Sequence, residues 1–106
     1  MAPAARSDTR PALTQENQIE LDAFCDSLWL EDGLARNSIE AYRRDLTQFA
    51  HWLQQEQRAP LLSASTESLQ RYLAEFAQRS KPASQRRLLS AWRRFFQRQL
   101  RDGRVT

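Results

Sequence analysis

A chain of 106 residues with 41% apolar side chains has material for one domain with a modest core. Its net charge is +3, and no window approaches the roughly 18 apolar residues of a membrane span or the apolar stretch of a secretory signal. The single cysteine, Cys25, excludes an internal disulfide, so nothing points to an oxidising compartment and the cytoplasm is the expected location.

Residues 1–15 hold two prolines among small and charged residues with no apolar periodicity, and read as a disordered leader. From there the chain is expected to be all-α. Two glycines, four prolines and one valine leave little material for hairpins. A first helix is predicted from about Glu16 to Glu31, with Leu21, Phe24, Cys25, Leu28 and Trp29 on one side. Gly33 stands where a left-handed stop is usual.

The second helix is predicted to start at Asn37 as N-cap, with Glu40 as its reciprocal partner. Ile39, Tyr42, Leu46, Phe49 and Leu53 form its stripe, widened by Trp52. Pro60 closes that region, and Ser63, Ser65 and Thr66 lead into a third helix carrying Leu69, Tyr72, Leu73 and Phe76, with Glu67 at its positive start. Pro82 opens a fourth helix that runs to about Arg101, with Leu88, Leu89, Trp92, Phe95, Phe96 and Leu100 as its apolar stripe. Four amphipathic helices on short connections make a compact four-helix bundle over residues 16–103.

Charge divides these helices. From Arg79 to Arg104 there are nine bases against one acid, Asp102, while Glu16 to Asp32 holds six acids and no base. Arg87, Arg94, Arg98 and Arg101 project nearly opposite the fourth helix's apolar stripe, so one face is built to pack and the other to meet a polyanion. The acidic first helix reads as a solvated surface, with a partner-binding role left open.

Helix starts offer unpaired N–H groups and a positive dipole end, which suit phosphate. Arg36, Asn37 and Ser38 on the second helix, with Lys81 and Ser84 on the fourth, are therefore the expected backbone contacts. Arg87, Ser90 and Arg94 are placed to reach base edges or flanking phosphates. Arg44 faces away from the second helix's stripe. Arg43 and Arg93 lie closer to the core edge, where an ion pair with Asp45 is the competing role. Arg98 and Arg101 are expected to add only to the field.

His51 falls on the polar side of the second helix, whereas Cys25, Trp29, Trp52, Trp92, Tyr42 and Tyr72 fall on or near packing stripes. There is no Gly-rich phosphate loop, no Cys/His cluster at metal spacing and no nucleophile elbow. No catalytic residue, metal or cofactor is expected.

Two blocks carry a family resemblance. Leu28-Trp29-Leu30-Glu31, Leu34-Ala35-Arg36-Asn37-Ser38-Ile39 and Ala41-Tyr42-Arg43-Arg44-Asp45-Leu46 resemble the start of the Xer tyrosine recombinases, most of all the XerD group. Arg87-Leu88-Leu89-Ser90-Ala91-Trp92-Arg93-Arg94-Phe95-Phe96 resembles a helix later in the same domain, with Trp92 where a smaller aliphatic is more usual.

The resemblance implies a SAM-like core-binding domain, half of a clamp around DNA, whose second and fourth helices approach the major groove of a recombination half-site. It implies that the catalytic arginines, lysine, histidine and nucleophilic tyrosine belong to the other half. Residues 104–106 are then the start of a linker to a catalytic domain this chain lacks, and neither Tyr42 nor Tyr72 is the nucleophile. Duplex DNA and recombinase subunits of the same or a sister type are the implied partners, in site-specific recombination that resolves chromosome dimers before division. The fragment alone is expected to be a monomer that performs no chemistry. The rival is a helical interaction module whose basic face binds an acidic protein.

Overall fold

Thr14 starts the first helix: its hydroxyl accepts from the Asn17 N–H at 3.2 Å, satisfying one of the unpaired donors of the first turn. In the computed structural model, which describes residues 12–104, four α-helices follow: α1 (Gln15–Leu30), α2 (Arg36–Gln57), α3 (Thr66–Ala77) and α4 (Pro82–Arg101). A short 3-10 turn, Leu61–Ser63, interrupts the α2–α3 connection, and no strand occurs among the described residues. The fold is all-helical, as expected.

Contacts to the rest of the fold begin before residue 16. The Thr14 N–H donates to Gln54 Oε1 at 2.9 Å, and Gln54 Nε2 donates to the Ala12 carbonyl at 3.3 Å. Residues 1–11 of the expected leader lie outside the described residues.

Gly33 closes α1 in the left-handed region, at φ +64°, which lets the Leu34 N–H turn back to the Leu28 carbonyl at 3.0 Å. Helix α2 starts at Arg36, before the expected cap. Ala35 is the N-cap and supplies no side-chain bond, so Asn37 and Glu40 lie inside the helix, not at its boundary. Ser65 caps α3, its hydroxyl accepting from the Ser68 N–H at 3.1 Å. Lys81 is the N-cap of α4, followed by Pro82, whose missing N–H costs nothing in a first turn.

Helix α2 packs against each of the other three and supplies Ile39, Leu46, Phe49, Ala50 and Leu53 to the core. Leu21, Phe24 and Leu28 come from α1, Tyr72 and Phe76 from α3, and Leu88, Ala91, Trp92 and Phe95 from α4. The Phe49 ring centre lies 5.0 Å from those of both Tyr72 and Trp92, so one ring ties three helices together.

Three expected core positions are corrected. Trp29 is 57% exposed, because the single step from Leu28 carries it to the edge of α1. Leu89 and Leu100 are exposed as well; the buried stripe of α4 is centred on Leu88, Trp92, Phe95 and Gln99, and the other two stand on its flank. Leu61, in the 3-10 turn that spacing missed, is fully buried.

Candidate nucleic-acid interface

Helix α4 runs antiparallel to α2. Arg87 meets Asp45, and one heptad further on the Arg94 guanidinium lies 5.8 Å from the Tyr42 ring centre. This register opens a shallow cleft of about 360 Å³ at the surface, lined by Asn37, Ser38, Ala41, Tyr42 and Arg87. Three expected site residues, Asn37, Ser38 and Arg87, are thereby brought together from two helices.

Arg87 does not simply project into solvent. Its Nε donates to Asp45 Oδ2 at 2.7 Å and its Nη2 to Oδ1 at 2.9 Å, against a carboxylate that is only 3% exposed. These bonds push the guanidinium pKa above its ordinary value, the Asp45 contact being the main cause, so Arg87 is a permanent cation. Asp45 grips the side of the guanidinium and leaves the end-on edge, Nη1 and the second Nη2 hydrogen, able to donate.

Arg43 and Arg93 both miss Asp45, contrary to the pairing left open for them. Arg43 bonds Asp22 of α1, and that contact is the first cause of its raised pKa. Ser38 and Arg43 stand about 140° apart around α2 at 100° per residue, so Arg43 faces the α1 side and not the cleft. Arg93 is exposed and has no ion pair among the described residues.

The other expected residues are placed as follows. Arg36, Arg44 and Lys81 are exposed and have no ion pair among the described residues. Ser84 and Ser90 are half-buried on α4. Arg94 donates to Asp32 at 3.2 Å, with roughly two fifths of its side chain still exposed.

The acidic flank has an internal task that spacing did not reveal. Besides Asp22 and Asp32, Glu31 meets Arg101 at 3.4 Å and the buried Glu20 holds Arg104 Nη1 at 2.8 Å. Four acids of α1 and its following turn thus neutralise cations of α2, α4 and the residues just after α4. The cations left without a carboxylate lie elsewhere, Arg36, Arg44 and Lys81 among them. Cys25 is half-buried beside Arg43, and burial raises its thiol pKa, which suppresses the reactive thiolate.

Tyr42 packs against the core as spacing predicts and also lines the cleft: it is half-buried, with its ring under Arg94. An aromatic next to Ala41 and Ser38 at i−1 and i−4 was the available signal. No group of three or more His, Cys, Asp or Glu stands together as a metal site among the described residues, and no helix there is long and apolar enough to cross a membrane.

Residues 21–103 match the family described as phage integrase, N-terminal SAM-like domain. The chain is 43% identical over 86 residues to the tyrosine recombinase XerD of Ralstonia nicotianae, covering 81% of this chain and 28% of that protein. It is 42% identical over 84 residues to XerD of Proteus mirabilis, covering 78% and 26%. With XerD of Xanthomonas campestris it shares 37% identity over 99 residues, 92% of this chain and 30% of the relative. The chain therefore spans under a third of the length of these curated relatives. No solved structure matches it.

Proposed function

The chain belongs to the family of phage integrase N-terminal SAM-like domains, and from that membership we propose that it grips one face of a recombination half-site duplex through the α2–α4 cleft. The observation that carries the reading is the cleft itself. Asn37 and Ser38 from the start of α2 meet Arg87 from the second turn of α4 there, and Arg36, Arg44 and Lys81 have no ion pair among the described residues. Relatives named tyrosine recombinases supply the context of site-specific DNA recombination.

In this reading Arg36, Asn37, Ser38, Lys81 and Ser84 hold backbone phosphates at the starts of α2 and α4, setting register without reading sequence. Arg44 adds a cation to the outer face of α2. Ser90 and Arg94 carry the contact further along α4. Arg43, turned to α1, acts by holding that helix and not by touching DNA.

Arg87 is the base reader. An arginine whose side edge is already held by a carboxylate presents its end-on edge in a fixed direction, the geometry that guanine O6 and N7 accept. Asp45 thus removes rotamer freedom before DNA arrives, and less entropy is lost on binding.

Chemistry is assigned to the rest of a full-length recombinase, not to these residues. The whole protein would exchange strands in a synapse with subunits of its own or a sister type, in the resolution of chromosome dimers. Mapping amide shifts of the labelled chain on adding half-site duplex tests the cleft. Shifts that include the first halves of α2 and α4 support it; shifts centred on α1 would move the interface and favour a protein-binding module.

A further inference from the structure

The outer face of α2 continues past the α2–α4 cleft. At 100° per residue Asn37, Ala41, Arg44, Gln48 and Gln55 fall on one stripe opposite the core. The second half of that stripe walls another cleft, of about 300 Å³, lined by Gln48, His51, Trp52, Gln55, Tyr72 and Arg79. It lies between α2 and α3, away from the acids of α1.

Two arginines cover its aromatic floor. The Arg71 guanidinium is 5.7 Å from the Trp52 ring centre, and that of Arg79 is 5.0 Å from Phe76 and 5.8 Å from Tyr72. Both are exposed, and neither meets a carboxylate among the described residues. Arg79 Nη2 also donates to the Tyr72 hydroxyl at 3.5 Å, and a guanidinium over a ring keeps its charge and further N–H groups for an anion. Trp52 Nε1, shielded from solvent, has no hydrogen-bond partner among the described residues.

Position links this cleft to the first one. Arg79 precedes by two residues Lys81, the N-cap of α4, so its cation stands at the positive end of that helix. From Asn37 to Gln55 the stripe is about 27 Å long at 1.5 Å per residue. That is on the order of eight base pairs of duplex axis, with one charge per ~1.7 Å.

We propose that the α2–α3 cleft is a second phosphate-binding station for the same duplex. Arg71 and Arg79 supply charge to phosphodiester oxygens beyond the α2–α4 cleft, and Gln48 and Gln55 supply neutral donors. The proposal rests on the DNA-gripping function above and extends its footprint to α3, a helix not included in it.

The test is a salt series of duplex titrations on the 106-residue chain and its variants, with the thermal midpoint of each. Combined Arg71→Ala and Arg79→Ala are expected to lower the slope of log affinity against log salt by about 1.8, two phosphates at ~0.9 each. Gln55→Glu, on an exposed side chain, is expected to weaken binding with its midpoint unchanged. It decides the matter should the double variant unfold. Wild-type slope and affinity in both variants, with Arg44→Ala still weakening binding, would overturn the second station and leave the first intact. If the unaltered chain binds no duplex at low salt, the proposed function fails with it.

Discussion

The Asp45 carboxylate, almost wholly withdrawn from solvent in the middle of α2, accepts two hydrogen bonds from Arg87 of α4. The pair ties the two helices together and, in the proposed function, mounts Arg87 for its contact with DNA. Breaking a buried pair from one side leaves an uncompensated charge, which costs several kcal/mol when both partners are buried. Arg87 is partly exposed, so Arg87→Ala should cost about 1–3 kcal/mol, less than that limit. Asp45→Asn should destabilise similarly and also weaken duplex binding, although the side chain at position 45 touches no DNA. Urea unfolding and duplex titration of both variants and the double variant give the coupling, and additive effects would deny that the pair acts as a unit.

Asp32, in the turn after α1, pairs with Arg94 on the basic helix. Asp32→Asn frees Arg94 and raises the net charge by one, so duplex affinity should rise at low salt and the gain should shrink as salt screens it. Stability should change by under about 1 kcal/mol, because the pair is exposed. Affinity that falls in Asp32→Asn would show that Asp32 positions Arg94 and does not compete with DNA for it.

Trp92 sits under the aromatic cluster with 6% exposure, its ring centre 5.0 Å from that of Phe49. Trp92→Ala should cost about 3–5 kcal/mol, the usual loss for a large aromatic removed from a core. Thermal melts read this directly, and a midpoint near wild type would place the ring outside the core.

Asn17 is fully buried and holds the chain after α2: its Oδ1 accepts from the Leu61 N–H at 3.0 Å and its Nδ2 donates to Gln54 at 3.1 Å. Asn17→Ala orphans the Leu61 N–H and should cost about 1–3 kcal/mol. Hydrogen exchange at that amide should quicken markedly; unchanged protection would mean the turn is held by packing alone.

Much of this fold was legible because helix periodicity is a local property. Leu46, Phe49 and Leu53 were placed by spacing and are all fully buried, and Pro82 and Arg101 bound α4 as anticipated. Asn37 shows where local rules mislead: it has the chemistry of a cap, yet Ala35 takes that position because the turn after Gly33 sets where α2 begins. The ion pairs were not legible. Which arginine meets Asp45 depends on the register between α2 and α4, and no spacing within one helix contains that register. Arg94, placed among the cations for DNA, is shared with the turn after α1, and Arg43, for which an ion pair was the competing role, pairs with Asp22 and not Asp45, for the same reason.

Whether the α2–α4 cleft holds recombination half-site DNA is decided by titrating the chain with a Xer half-site duplex and a scrambled duplex across a range of salt concentrations. Binding to both should weaken linearly on a log–log scale, with a preference for the half-site that Arg87→Ala abolishes. The phosphate contribution, ~0.9 per contact, should stay largely intact in that variant. Absence of duplex binding at low salt, or a half-site preference untouched by Arg87→Ala, would refute the assignment of the cleft.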